Sequence, residues 1–218
     1  MLKGVIFDLD GVIVNTVHLH FDSWKYLFAT VHGLPFTMKD YDEKVDGRPR
    51  LDSIRLLLPH LSEKEVIAAG EVKQKRYIEL LNEKEIEQFP ASIKLVKELH
   101  NKGILLAAAS SSKNAKYIIE KINLTSYFTA IISGYDFTNG KPHPEIFLNA
   151  ANALKLDVKE CIVFEDAMLG VQAAKAGNFY CIGIDRNNHP SHYTQANLVV
   201  KDLAEVDYDR LSQLIANK

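Results

Sequence analysis

The stretch KGVIFDLDGVIVNTVHLH, residues 3–20, decides how the rest of the chain is read. Its apolar run over Val5 to Leu9 has the β-branched and aromatic make-up of a buried strand. That run leads directly into two aspartates one residue apart, Asp8 and Asp10. Desolvating one carboxylate is costly, and a second beside it adds repulsion. A buried strand that ends in this way implies an electropositive partner, a cation or a reacting group, at its carboxyl end.

Outward from this strand, apolar runs recur at Ile104 to Ala109, Ala130 to Ile132, Ile162 to Phe164, Tyr180 to Ile184 and Leu198 to Val200. Between them lie segments with helical spacing of apolar residues: ASIKLVKELHNKG (91–103), EIFLNAANALKL (145–156) and AMLGVQAAKAG (167–177). This alternation predicts an α/β fold, a Rossmann-like doubly wound parallel sheet with helices on both faces. Residues 16–88 break the rhythm. FDSWKYLFATV, LDSIRLLLPHL and EKEVIAAGEVKQKRYIELLNEK read as charged amphipathic helices with no strand among them. An inserted all-helical module is expected over 16–88, on a core of residues 1–15 and 89–218, with Pro90 punctuating the return. The many Lys and Glu of residues 63–87 read as a solvated helix surface.

Composition limits the function classes. A hydrophobic content of 47% in 218 residues supplies a sizeable core, so disorder is not expected. A formal charge of -2 offers no general attraction to nucleic acid or an anionic membrane. The two cysteines, Cys161 and Cys181, sit in apolar runs without metal-type spacing and read as reduced core residues. No signal peptide or bilayer-length apolar stretch is legible, so a cytoplasmic protein is expected.

In open parallel sheets, ligands bind beyond the carboxyl ends of the strands. Four strand ends carry chemistry: FDLDGV with Asp8 and Asp10, AAASSSKN with Ser110 to Asn114, GKPHPEIF with Lys141, and VFEDAMLG with Glu165 and Asp166. Two acids from the first strand and two from the last of these would form a cluster of hard oxygen ligands suited to Mg²⁺. Taken alone, Glu165 and Asp166 would only favour the start of the following helix. The serine run offers hydroxyls and backbone N–H groups at a strand-to-helix turn, and Lys141 a compact positive charge.

The four motifs together resemble the haloacid dehalogenase superfamily of phosphotransferases. FDLDGVIVNT, SSSKN, INLTSYF, GKPHPEIF and FEDAMLGVQAAKAG are most similar to the β-phosphoglucomutases and related sugar-phosphate phosphatases, which carry a helical cap after the first strand. The resemblance implies that Asp8 is the nucleophile and Asp10 the general acid/base. It implies that Asp8, the carbonyl of Asp10 and Asp166 hold Mg²⁺ with support from Glu165, and that Ser110 and Lys141 bind the transferring phosphoryl oxygens. An acid/base at Asp10 suits a C–O–P leaving group and not dehalogenation.

Within NTVHLHFDSW, helical spacing places Thr16, His20 and Trp24 on one face and His18 elsewhere. By the same resemblance His20 controls engagement of Asp10 at the hinge, and EKVDGRPRLDSIR is a substrate-specificity loop. Gly47 allows its turn, and Arg50 grips a second, non-transferring phosphate. Ser111, Ser112, Lys113 and Asn114 lie near that phosphate, with Lys113 its most direct charge partner. The loop departs from the mutase pattern at Asp46, where a lysine is usual, and in the additional Arg48. A carboxylate there would repel a phosphate unless Arg48 compensates, or would accept sugar hydroxyls. Asn15, another departure, is expected to cap the first cap helix. The reading is thus a monomeric, Mg²⁺-dependent enzyme acting on small phosphorylated sugars, as a β-phosphoglucomutase-like isomerase or as a phosphatase. A non-catalytic sensor of phosphorylated metabolites is the alternative of another class.

Overall fold

The computed structural model describes residues 1–216. Six parallel strands form one sheet in the order β3-β2-β1-β4-β5-β6: β1 Gly4–Phe7, β2 Leu105–Ala109, β3 Ala130–Ile132, β4 Cys161–Glu165, β5 Tyr180–Ile184 and β6 Leu198–Val200. β1 is central, with Phe7 opposite Ala108 on one side and Phe164 on the other. Strand periodicity sorts its side chains. Val5 and Phe7 enter the core beneath α5 (Pro90–Asn101), α6 (Ala115–Lys121) and α9 (Tyr208–Ala216), while Ile6 faces α7 (Glu145–Leu154) and α8 (Met168–Ala176). Both faces are covered, which is why the strands are continuous apolar runs and not alternating ones.

β1 stops at Phe7, two residues before the end of its apolar run. The chain turns there because the Leu9 carbonyl accepts from the N–H groups of Ile13 and Val14, at 2.9 and 3.1 Å. Gly11 makes this turn at φ +85°, and a Cβ there would overlap the Asp166 carboxylate.

The inserted segment expected to form a cap contains α1 (Val17–Lys25), continued by a π-helical segment Tyr26–Val31, then α2 (Met38–Lys44), α3 (Arg50–Leu57) and α4 (Glu63–Glu83). It has its own apolar cluster, with Trp24, Phe28, Phe36, Tyr41, Ile54 and Val66 among its members. At its base, Leu19, Tyr77, Leu80 and Leu81 pack into the core cluster instead. Two antiparallel linkers join cap and core: Asn15 N–H donates to the Glu87 carbonyl at 2.8 Å and Phe89 N–H to the Ile13 carbonyl at 3.0 Å. Asn15 does not cap α1. Its amide donates to the Glu87 carboxylate at 2.7 Å, and the N-cap position belongs to Thr16, whose hydroxyl points at Asp10. No described helix is long and apolar enough to cross a membrane. Both cysteines are free and buried, as their apolar context predicts.

Candidate active site

The strand order reverses at β1, between β2 and β4, and the side chains beyond the carboxyl ends of these strands converge there. Oxygens of Asp8, Glu165 and Asp166 all lie within 4.8 Å of one another. Lys141 enters from the loop before α7, with Nζ 2.6 Å from Asp8 Oδ1 and in contact with Glu165 Oε1. Glu165 also accepts from the Ala167 N–H at 2.7 Å, so it supports the start of α8 and anchors Lys141 together. α8 can pass this close because residue 170 is glycine, where a Cβ would overlap the Glu165 carboxyl.

One ammonium faces three carboxyls. Burial, then repulsion from neighbouring carboxylates, pushes Asp166 well above the usual carboxylate range. Burial does the same to Asp8, against the attraction of Lys141. The donor set is all oxygen, buried and short of positive charge, and so it fits a hard divalent cation.

Asp10 occupies a different environment, although only Leu9 separates it from Asp8. Its Oδ1 accepts from the Thr16 hydroxyl and lies 3.5 Å from His20 Nε2, while Oδ2 accepts from Ser110 Oγ at 3.0 Å. Burial opposes its ionisation, but the His20 hydrogen bond and charge, with Thr16 and Ser110, bring its pKa to about 2. Behind His20 stands Lys73, with Nζ 2.9 Å from His20 Nδ1. The ammonium donates, so Nδ1 is the acceptor and Nε2 carries the proton facing Asp10. Burial, then the charge of Lys73, lowers the His20 pKa. Lys73 is only 3% exposed, sits 4.5 Å from the Tyr77 ring centroid and 5.3 Å from that of Trp24, and is brought down to about 7 by burial and the nearby Arg50.

A cavity of ≈ 290 Å³ runs from these acids to Arg50, Asp52 and Arg55 on α3. At its far end Arg50 contacts Gln74 through Nη1, Gln74 donates to Asn114 Oδ1 at 2.7 Å, and Arg50 Nη2 lies 3.8 Å from Glu71. Arg50 Nε is buried without an acceptor. Lys113 lines the cavity with its Nζ 4.6 Å from the Tyr135 ring centroid. The serine loop is internally bonded: Ser112 N–H donates to Ser110 Oγ at 3.0 Å and Asn114 N–H to Ser112 Oγ at 3.2 Å.

The cap loop rests on the core. Gly47 adopts φ +70° and accepts from Ser111 Oγ at 3.1 Å, and a Cβ at this position would stand 3.2 Å from that of Ala167. This contact delivers Asp46 to the acid end of the cavity and not to the Arg50 end. Burial, then repulsion from Glu165, raises its pKa to about 7. Arg48 does not pair with Asp46; its Nε donates to the Lys44 carbonyl at 3.2 Å.

The profile of the haloacid dehalogenase-like hydrolases matches residues 5–184, which include all four strand-end motifs. The chain belongs to that family. This haloacid dehalogenase-like enzyme is 30% identical to a β-phosphoglucomutase of Bacillus subtilis, over 97% of this chain and 95% of that one. It is also 30% identical to a phosphorylated carbohydrates phosphatase of Thermotoga maritima, over 85% of this chain and 83% of the relative. Among solved structures, a β-phosphoglucomutase from Clostridium difficile superimposes with a TM-score of 0.92 at 28% identity, covering 100% of this chain and 98% of that one.

In this haloacid dehalogenase-like enzyme every site residue expected from sequence lines the cavity except Thr16, which meets it through Asp10. Trp24 is the weakest of them as a substrate contact. At 2% exposure it is packed on Phe28 and Phe36 and serves the cap's core. Lys73 is the exception to the reading of the Lys and Glu of residues 63–87 as a solvated helix surface: it alone among them is buried, and Gln74 beside it lines the cavity. The signal was present: on α4, Val66, Ala69, Gly70, Lys73, Tyr77, Leu80 and Leu81 form one buried stripe. A lysine within such a stripe needs a partner, and only the fold reveals that the partner is His20.

Proposed function

We propose that this enzyme transfers phosphoryl groups of sugar phosphates through Asp8, with Asp10 as general acid/base. The observation that carries this reading is the division of labour between two carboxyls of one turn. Asp8 is held beside Lys141 and the acid cluster, whereas Asp10 is held ionised by Thr16, Ser110 and the His20–Lys73 pair. Asp8 Oδ attacks phosphorus and the bond to the sugar oxygen breaks. Asp10, protonated once a substrate displaces its present partners, gives its proton to that oxygen. The product is an aspartyl phosphate. Asp10 then takes a proton from the next acceptor as the acceptor oxygen attacks phosphorus and frees Asp8.

Mg²⁺ would be held by Asp8, the Asp10 carbonyl and Asp166, with Glu165 alongside, and would supply positive charge against the phosphoryl oxygens. Ser110 and Lys141 are the chain's own donors for those oxygens. The catalytic core is assigned to residues 1–15 and 89–218 and the cap to 16–88.

The acceptor decides between mutase and phosphatase. A β-phosphoglucomutase-like reaction is the leading reading, since Asp10 is tied through His20 and Lys73 to the cap and Arg50, Lys113 and Asn114 gather where a second phosphate would sit. Asp46 favours the phosphatase, because it brings a further carboxyl to the transfer end where the mutase pattern has lysine. ³¹P NMR with Mg²⁺, β-glucose 1-phosphate and a trace of β-glucose 1,6-bisphosphate tests both. Glucose 6-phosphate is the expected product. Inorganic phosphate alone establishes the hydrolase, and no turnover of any sugar phosphate overturns the proposal.

A further inference from the structure

Arg186 lies in the loop after β5, outside the cavity that holds the reacting groups. Its Nη1 donates to the Gly11 carbonyl, one residue beyond Asp10. Its guanidinium carbon stands 3.7 Å from the ring centroid of Phe89, a residue of the opposite linker. Nη2 lies 3.6 Å from Asp202, and the side chain is only 19% exposed. One side chain therefore grips both segments by which the chain enters and leaves the cap.

We propose that Arg186 is the positioning residue that fixes this two-segment hinge, and with it the Asp10 turn, to the core. The grip has a mechanical basis. Gly11 N–H donates to the Val14 carbonyl at 2.7 Å and Phe89 N–H to the Ile13 carbonyl at 3.0 Å, so the linkers form one small ribbon. Arg186 holds one end of the ribbon by a hydrogen bond and the other by a flat stacking contact, which a planar guanidinium can make together and an ammonium cannot. The Gly11 turn in turn bears on Asp166, whose carbonyl is tied to the Tyr193 hydroxyl at 2.6 Å. Arg186 Nε is buried without a hydrogen-bond acceptor. A fold that only needed a surface charge here would not retain that cost.

The inference rests on Asp10 being the acid/base, so its test has one arm that reads activity and one that does not. In the first, Arg186→Met lowers kcat about tenfold and also raises KM several-fold, because hinge residues shift both. Added methylguanidinium, which can enter the neighbouring 370 Å³ cavity lined by Gly11, Phe89 and the truncated side chain, restores both parameters, and methylammonium does not. In the second, amide hydrogen exchange at Asn15 and Phe89 quickens about tenfold in Arg186→Met and slows again with methylguanidinium. Arg186→Lys, which can keep the bond to Gly11 but not the flat stack, shows an intermediate effect and serves if the methionine variant does not fold. Unchanged exchange at the two linker amides, or a loss of kcat at constant KM without rescue, overturns the proposal. Failure of the wild type to turn over any phosphate ester overturns the phosphotransfer reading and leaves the exchange arm to decide this one.

Discussion

At the scale of single residues, the site is a set of charges kept in unfavourable surroundings. Lys73 has its pKa brought from 10.5 down to about 7 by burial. Below pH 7 it is charged in both folded and unfolded states, so the folded state bears the full cost. That cost fades as pH rises toward the unfolded value and is gone above it. Lys73→Met is therefore expected to raise the thermal midpoint relative to wild type at pH 6, with the gain shrinking toward pH 10. The same change removes the donor to His20 and should lower kcat by at least about tenfold. Asp46 gives the opposite profile. Its pKa rises from 3.8 to about 7, so its cost is absent below about pH 4 and complete above pH 7. In chelator-treated protein, Asp46→Asn should add several degrees to the midpoint at pH 8 and almost nothing at pH 4. An equal gain at both pH values would show that Asp46 is not held ionised against its neighbours.

At the scale of elements, close approach governs the site as much as charge does. A glycine inside a helix ordinarily costs about 1 kcal/mol relative to alanine, so Gly→Ala in α8 would be stabilising on propensity alone. Gly170→Ala should instead destabilise by about 1–3 kcal/mol in denaturant unfolding, because its Cβ collides with Glu165 and pushes it off Lys141. Strand ends were legible because their signal is local: Asp8, Glu165 and Asp166 each lie at the close of an apolar run, and a parallel sheet brings such positions together. The entry into α1 was less so. Asn15 has the side chain of a cap, yet its amide reaches residue 87, a partner 72 positions away. Lys73 likewise lay within a visible apolar stripe, but His20 is 53 positions distant. The placement of Asp46 was also beyond sequence, since it depends on Gly47 meeting Ser111 and Ala167 from another part of the fold.

At the scale of the whole molecule, the cap is closed on the core. Besides contacts nearer its base, from Tyr117 to Asn82 and from Lys121 to the Leu81 carbonyl, two polar contacts latch it across the cavity, Ser111 to the Gly47 carbonyl at 3.1 Å and Gln74 to Asn114 at 2.7 Å. The second joins the groups proposed to receive a distal phosphate, so substrate and latch compete for Arg50 and Asn114. Gln74→Ala should enlarge the radius of gyration of the ligand-free enzyme in small-angle scattering and change KM more than kcat. An unchanged radius would assign closure to the Gly47 contact and to the apolar and polar contacts at the base of the cap.

The position of β1 also bears on how the molecule comes into being. This strand precedes every other element, yet its two neighbours in the sheet are residues 105–108 and 161–164. The cap helices, by contrast, pack largely against one another within residues 17–83. During vectorial synthesis at about 5–20 residues per second, Asp8 leaves the ribosome many seconds before β4 can flank it. Cap helices can gather first from local contacts, whereas Asp8 waits for long-range pairing. The carboxylate proposed as the nucleophile is thus made well before the strands that flank it, and is placed only when they pair.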